Sequence, residues 1–550
     1  MTPVRQDRPR FRHPTIRLVG AVLGLSLLLL LFLPARDPVT HGLSIEWRPT
    51  AALAFLLFLI AVAGAARPRV IVAPRAAPVL AVLVTALALL NLVDAATPTL
   101  LGRDLNLYWD LPHLPSLFGL VGEAAGFWRM AGVVAVLAGG IGLLINGTAW
   151  AWRQVLPVLT DRRIALGLAV FLGVVVDVTA CVPAKDRPLA TGLVLDIVRQ
   201  SAALAQQRFG VASGGGPYTE ALAAPAPPSS DLAGLKRRDV YLVFLESYGT
   251  TVFDTPEFRA GLGDALWQFE SSLRRAGYTI ASNRLVSPTF GGGSWLAHAT
   301  LASGVRLDDP VLYTMLLGSG RKLLPAYFKK AGWTTLEIAP GIKEPSARAT
   351  AAWGFDREIF ASELDYKGPS FGWFAIPDQF TLDRAATIRS AFGPAPPVFT
   401  QLVLVSSHIP FAPVPPYLAD WDDSGTFASV SSTTMKEVWR QPDWGQLAPD
   451  YLNSLRYDFA ALAGWLTSRI TGDGLVILLG DHQPPAIVGG LPQPPWTVPI
   501  HVLSRDPELI APFLHEGYVS GLDPTQAPPH PGMETFLARF LAAFDRPRSG

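Results

Sequence analysis

At 550 residues the chain is too long for one ordinary domain. Half of it is hydrophobic and only 16% is charged, well below the roughly 25% of soluble domains. A net charge of +1 gives no electrostatic reason to expect nucleic acid as a partner, and the single cysteine, Cys181, excludes an intrachain disulfide.

The apolar excess is concentrated in the first third, which has no lysine before Lys185. Apolar stretches at Leu18–Ala35, Thr50–Ala66, Ala76–Val93, Met130–Trp152 and Ile164–Val182 each approach the ~20 residues that cross a bilayer as a helix. The first follows Arg5, Arg8, Arg10, Arg12 and Arg17 and lacks a small-residue cleavage site, so it reads as an uncleaved anchor. Asp177 interrupts the fifth near one end, close to the headgroup region. Arginines cluster in the N-terminal tail, at Arg67, Arg69 and Arg75, and at Arg153, Arg162 and Arg163. The intervening loops carry only Arg36 and Arg48, then Arg103 and the boundary Arg129. With positive loops inside, five crossings put the N-terminus in the cytoplasm and everything after Val182 outside it. The loop Asp94–Arg129, with Tyr108, Trp109, Phe118, Phe127 and Trp128, has the aromatic content of an interfacial segment. The Ala/Pro/Arg-rich composition fits a bacterial inner-membrane protein from a high-GC genome.

Leu189–Arg208 places Leu193, Ile197 and Leu204 on one side of an amphipathic helix, and Val211–Leu235 is rich in Gly, Ala, Pro and Ser, the composition of a flexible tether. The expected organisation is a five-helix transmembrane domain over 1–182, a helix and linker over 183–236, and an extracytoplasmic domain over 237–545. In that last part, apolar runs alternate with amphipathic stretches, the pattern of an α/β fold with a mostly parallel central sheet. Strands are expected at Val240–Leu245, Tyr278–Ser282, Thr334–Ile338, Phe399–Val405 and Leu475–Leu479, and helices at Pro256–Ala276, Lys322–Ala331 and Tyr451–Arg469. Several of the strands are apolar on both faces, as strands covered by helices on both sides are.

Three of these strands run into polar residues: Leu245 into Glu246-Ser247-Tyr248-Gly249, Val405 into Ser406-Ser407-His408, and Leu479 into Gly480-Asp481-His482. Ligands of open α/β sheets bind at the carboxyl ends of the strands. A Glu, a His and an Asp-His pair delivered to one edge make an oxygen and nitrogen donor set for a divalent cation such as zinc, manganese or magnesium. Between them, Phe290-Gly-Gly-Gly-Ser294 places a serine at the start of a helical run ending in His298-Ala-Thr300-Leu. Ser294 is either a plain N-cap or a nucleophile beside backbone N–H groups that favour a phosphate or sulfate dianion. The combination with three strand ends favours the nucleophile.

The segments LESYG, GGGS, SSHIPF and GDHQPP, in this order, resemble the alkaline phosphatase/sulfatase superfamily, and within it the lipoteichoic acid synthase-like group. Leu324–Trp333 and Tyr451–Asp458 resemble that group's helix-then-strand segment and its late helix. The resemblance implies one divalent metal ion (Mn, Mg or Zn) held by Glu246, Asp481, His482 and the Ser294 side chain. It implies that Ser294 attacks phosphorus, that His408 contacts the transferred group or protonates the leaving oxygen, and that His298 packs or supports. It also implies transfer or hydrolysis of a phospho-alcohol group, of the phosphoglycerol or phosphoethanolamine type. The donor would be a membrane lipid and the acceptor an envelope glycan or lipid. Two departures stand out: the synthase group has threonine where this chain has Ser294, and its Trp/Arg substrate clamp is not cleanly present, Arg348 and Lys343 being the nearest basic residues. Trp295, Leu296, Ala297 and His298 after Ser294 do not match a formylglycine sulfatase, which needs Pro two and Arg four residues on. A sulfatase-like ester hydrolase without formylglycine, and a catalytically silent membrane scaffold, are the rival readings.

Overall fold

The computed structural model describes residues 14–31, 34–36, 43–45, 51–66, 75–101, 127–168, 170–171, 217–343, 345–371, 374–421, 427, 430, 446–489, 495–528 and 531–546. The chain divides into two compact units, Met1–Phe209 and Gly210–Gly550. Asp177, Cys181, the stretch Leu189–Arg208 and most of the expected fifth span lie outside the described residues.

The first unit contains helices α1 (Pro14–Leu30), α2 (Ala51–Ala66), α3 (Ala76–Leu101) and α4 (Phe127–Val155), with a short antiparallel pair, β1 (Pro34–Arg36) and β2 (Leu43–Ile45). Leu28, Leu57, Ala81, Val84 and Trp152 form its buried centre. Helix α1 approaches α4 so closely at Gly24 that a Cβ there would lie 2.8 Å from the carbonyl oxygen of Ala151. Small residues allow this approach where apolar helices meet. Outward-facing Val82, Val136 and Leu143 are exposed. Among the described residues, the segments Ala76–Thr97 and Ala131–Thr160 are long and apolar enough to cross a membrane, and Val19–Leu30 is apolar but shorter.

The second unit is built on an eight-stranded mixed sheet in the order β10-β4-β9-β8-β3-β7-β5-β6. Its strands are β3 (Val240–Leu245), β4 (Thr279–Val286), β5 (Thr334–Ala339), β6 (Arg357–Phe360), β7 (Val398–Leu404), β8 (Leu475–Gly480), β9 (Thr497–Ser504) and β10 (Val519–Ser520). Strands β8, β3, β7, β5 and β6 are mutually parallel, whereas β9 runs antiparallel to both β8 and β4, and β10 antiparallel to β4. The sheet is therefore parallel in its centre and mixed at one side.

Side chains of a strand alternate between faces. In β3, Tyr241, Val243 and Leu245 enter one core and Val240, Leu242 and Phe244 the other. Helices α5 (Pro256–Arg275), α8 (Asp378–Ala391) and α9 (Ala448–Gly464) cover the first face through residues such as Phe269, Phe380 and Phe459. Helices α6 (Ser294–Ser303), α7 (Leu324–Lys330) and α10 (Phe536–Ala543) cover the second through Leu301, Phe328 and Phe540. Phe328 stacks on Phe399 of β7 with centroids 4.1 Å apart.

Part of the segment expected as a tether, from Pro217 onward, lies among the described residues. Pro217–Ala223 is helical, Leu232 and Leu235 are buried in the second core, and the Tyr327 hydroxyl donates to the Pro227 carbonyl at 3.2 Å. Two leucines anchor a stretch whose Pro and Ala content alone reads as flexible.

Candidate metal centre

The register of the central strands places the sequence motifs side by side. Leu245 pairs with Gly480 of β8 and with Leu404 of β7, so Glu246, Val405 and Asp481 leave the sheet at one level. Gly480 is required there, because a Cβ would collide with the carbonyl oxygen of Tyr248. Ser247 adopts a left-handed backbone, φ 57°, a conformation uncommon outside glycine and costing about 1–2 kcal/mol. It lets the Ser247 N–H donate to Asp481 Oδ1 at 2.9 Å while its hydroxyl donates to Glu246 Oε1 at 3.0 Å. The Tyr451 hydroxyl from α9 donates to the Ser247 carbonyl at 2.9 Å and holds that turn.

Gly291, Gly292 and Gly293, with φ of 64°, 148° and 79°, form the turn that starts α6. The N-cap residue is Gly293, and no side chain caps the helix. The Ser294 hydroxyl instead lies 3.0 Å from Glu246 Oε2, to which it donates, and 3.2 Å from His482 Nε2. That geometry removes the plain N-cap reading of Ser294.

Glu246, Asp481 and His482 are all buried and present one donor atom each within 4.8 Å of one another. The His482 Nδ1–H donates to the Gln483 carbonyl at 2.8 Å, which turns Nε2 toward Glu246 Oε1 at 3.2 Å and Asp481 Oδ2 at 3.9 Å. Asp481 Oδ1 accepts the backbone N–H groups of Ser247 and His482, at 2.9 and 2.7 Å, and Oδ2 is buried without a hydrogen-bond partner. Burial pushes the Asp481 carboxyl up, the Glu246 charge adds to it, and the group stands at about 7. Burial also opposes the charged forms of Glu246 and His482. The His482 charge outweighs it at Glu246, holding that carboxyl well below the usual carboxylate range, and the Asp481 and Glu246 charges outweigh it at His482, raising the imidazole to about 9. Two buried carboxylates thus demand a positive charge beside them. The orphaned Asp481 oxygen and the oxygen–oxygen–nitrogen donor set fit a divalent cation, with Ser294 Oγ beside it.

His408 is half-buried on the neighbouring strand end, its Nδ1–H donating to the Ile409 carbonyl at 2.6 Å and its ring edge-on to Phe374 at 4.9 Å. Its turn is tied to the metal set, because the Ser407 hydroxyl donates to the Glu246 carbonyl at 2.7 Å. Buried Asp378, at the start of α8, accepts the N–H groups of Val405 and Ser406 at 2.8 and 2.9 Å. Arg348 and Lys343 are exposed; the Arg348 guanidinium lies against Gly318, and Lys343 follows the turn after β5. Sequence reading missed Ser247, Ser407, Tyr451 and Asp378 as supports. Of these, Ser247 and Ser407 had a signal in their places inside the strand-end motifs, and Tyr451 in the late-helix segment Tyr451–Asp458.

No protein-family profile matches the sequence, and no curated protein sequence matches it. Solved structures similar to this chain include the lipoteichoic acid synthase LtaP from Listeria monocytogenes, at 15% identity and TM-score 0.35, covering 52% of this chain and 70% of that one. The Streptococcus pyogenes phosphoglycerol transferase GacH in complex with sn-glycerol-1-phosphate aligns at 12% identity and TM-score 0.34 over 60% of this chain and 90% of its own. The C-terminal periplasmic domain of EcEptC from Escherichia coli, in complex with Zn, aligns at 16% identity and TM-score 0.32 over 51% and 73%.

Proposed function

We propose that the second unit is a metal-dependent transferase or hydrolase that moves a phospho-alcohol group, of the phosphoglycerol or phosphoethanolamine type, through a covalent intermediate on Ser294. The observation that carries this reading is the position of the Ser294 hydroxyl, 3.0 Å from Glu246 Oε2 and 3.2 Å from His482 Nε2, at a helix start where it caps nothing.

A divalent cation held by Glu246, Asp481 and His482 would lower the pKa of the neighbouring hydroxyl and offset charge on the transferred group. Ser294, whose hydroxyl is hydrogen-bonded to Glu246 Oε2, gives its proton to solvent as its oxygen bonds to phosphorus. The bond from phosphorus to the leaving alcohol breaks, and that oxygen takes a proton from His408 in its charged form. Water or an acceptor alcohol then gives its proton to His408 and attacks the same phosphorus, and Ser294 leaves, its oxygen taking a proton back from solvent. Helix α6, ten residues long, begins at Ser294, and the positive end of its dipole favours an anionic group there. Lys343 and Arg348 are the basic side chains offered for the far side of the substrate.

A lipid donor suits a chain whose first unit contains helices apolar enough to cross a membrane. In this reading the protein sits in a bacterial inner membrane with five crossings, its N-terminus cytoplasmic and its second unit outside, and an envelope glycan or lipid is the acceptor. To test the function, full-length protein purified in detergent is assayed with a fluorescent phospholipid and with aryl phosphate and aryl sulfate esters, then again as Ser294→Ala. Turnover of the phospholipid that vanishes in the variant supports the proposal. Turnover of the sulfate ester alone establishes an ester hydrolase instead, and absence of stoichiometric metal establishes a silent scaffold.

A further inference from the structure

We propose that Gln483 is a positioning residue, whose buried side-chain amide fixes the one carbonyl that orients both the metal ligand His482 and the glycine turn carrying Ser294. The inference rests on the metal and nucleophile readings above and adds a residue that acts through its neighbours. Gln483 directly follows His482 and is 1% exposed. Its backbone carbonyl accepts two N–H groups, from His482 Nδ1 at 2.8 Å and from the backbone of Gly291 at 3.1 Å. The first bond sets the tautomer that turns Nε2 toward Glu246 Oε1. The second holds the first glycine of the turn that leads into Ser294. Ser294 Oγ and His482 Nε2 end 3.2 Å apart, so a shift of this carbonyl moves the ligand and the nucleophile relative to each other.

The side chain of the same residue holds that carbonyl in place. Gln483 Nε2 donates to the Thr497 carbonyl at the start of β9 at 2.8 Å and to Thr250 Oγ1 at 3.2 Å, and Oε1 accepts the Thr251 N–H at 3.4 Å. Both amide hydrogens and the amide oxygen are therefore used. Thr250 and Thr251 follow the turn that begins at Glu246. Thr250 is joined to Thr497 as well, by hydroxyl oxygens 2.7 Å apart and by its N–H on the Thr497 carbonyl at 3.1 Å. The amide thus ties the strand end that supplies Glu246 to the one that supplies Asp481 and His482. Its fit against the first of these is close, since a Cβ at Gly249 would collide with Gln483 Oε1. That contact gives the glycine of the Glu246-Ser247-Tyr248-Gly249 segment its reason. An apolar side chain of similar length would fill the same space, but it would leave the carbonyl without a directional anchor. Outer hydrogen bonds of this kind fix the orientation of a ligating imidazole.

The test uses the full-length protein in detergent, as wild type, Gln483→Met and Gln401→Met. Gln401 is equally buried in the middle of β7, where its amide donates to Glu337 Oε1 at 2.9 Å, so its substitution removes a buried hydrogen bond away from the strand ends. Cobalt(II) is competed against a chelator, its visible spectrum is recorded, and phospholipid turnover is measured at saturating metal. Gln483→Met should lose about 10–100-fold in cobalt affinity with a changed spectrum. With metal saturating, its kcat should fall about 10-fold at a KM within about two-fold of wild type, because the nucleophile remains misplaced. Gln401→Met should lower the melting temperature and leave affinity, spectrum and kcat at wild-type values. Wild-type affinity, spectrum and kcat in Gln483→Met, or equal losses in the two variants, would make Gln483 a structural cross-link and overturn the inference. Should Gln483→Met fail to fold, Thr250→Val removes one amide partner at nearly constant shape; a changed cobalt spectrum is expected, and an unchanged one overturns the inference. A wild type that binds no cobalt overturns the metal reading and this inference together. Bound cobalt without lipid turnover overturns the proposed function alone, and affinity and spectrum still decide the role of Gln483.

Discussion

The turn that carries His408 hangs on one buried carboxylate, and its removal should be costly in a calculable way. Asp378 Oδ1 and Oδ2 each accept one N–H, from Val405 at 2.8 Å and Ser406 at 2.9 Å, and the residue is fully buried. Asp378→Ala leaves two buried donors unpaired, at about 1–3 kcal/mol each, or about 2–6 kcal/mol from a total stability of about 5–15. Beside it lies Asp458, fully buried, near Asp378 and Ser407 but without a well-aligned hydrogen bond to either. Burial first and the Asp378 charge second push the Asp458 carboxyl well above its usual range, and burial also raises Asp378, so the pair shares a proton at neutral pH. Asp458→Asn is close in shape to the neutral acid and should cost less than about 1 kcal/mol at pH 6. A carboxyl whose folded pKa exceeds its unfolded value is protonated in the fold, and its contribution is lost as pH rises. The asparagine variant should therefore gain on wild type between pH 6 and 9. Urea unfolding of the detergent-solubilised chain, followed by circular dichroism, measures all three proteins. An Asp378→Ala variant within 1 kcal/mol of wild type, or a gap between Asp458→Asn and wild type that is constant with pH, would refute the reasoning.

Other perturbations probe neighbouring supports. His501 is fully buried between the Tyr248 hydroxyl, which donates to Nε2 at 3.0 Å, and Ser282 Oγ, 2.7 Å from Nδ1; burial holds it down to about 3. A histidine kept neutral in the fold loses stability as pH falls below its ordinary 6.5, by about 2 kcal/mol at pH 5; His501→Gln should flatten the stability profile between pH 7 and 5, and an unaltered slope would exclude this histidine as its source. Tyr451→Phe removes the bond to the Ser247 carbonyl and should cost about 1 kcal/mol by melting and about 10-fold in metal affinity by chelator competition. Gly480→Ala drives a Cβ into the Tyr248 carbonyl, whereas Gly263 on α5 has open space around it. The first should fail to give folded protein, and Gly263→Ala should raise stability by up to about 1 kcal/mol.

The site motifs were legible because β3, β7 and β8 are buried on both faces, and such strands appear in sequence as apolar runs ending abruptly in polar residues. Their ends fell within one residue of the expected bounds. Strand β9 escaped notice because Pro499 and His501 break its pattern; Pro499 is tolerated since pairing with β8 begins only at Ile500. Helix α8 was missed because polar Asp378, Gln379 and Thr381 are buried along with Phe380, which blurs its apolar face. Asp378 gave no signal because its partners are backbone groups 27 and 28 residues away in sequence.

The central claim is that Ser294 becomes covalently attached to the transferred group. Full-length protein is incubated with phosphatidylglycerol or phosphatidylethanolamine, quenched in acid, and analysed by peptide mass spectrometry. A phospho-alcohol adduct on the peptide containing Ser294, absent from Ser294→Ala, is the expected result. Lipid turnover that persists undiminished in Ser294→Ala, with no adduct in wild type, would contradict it.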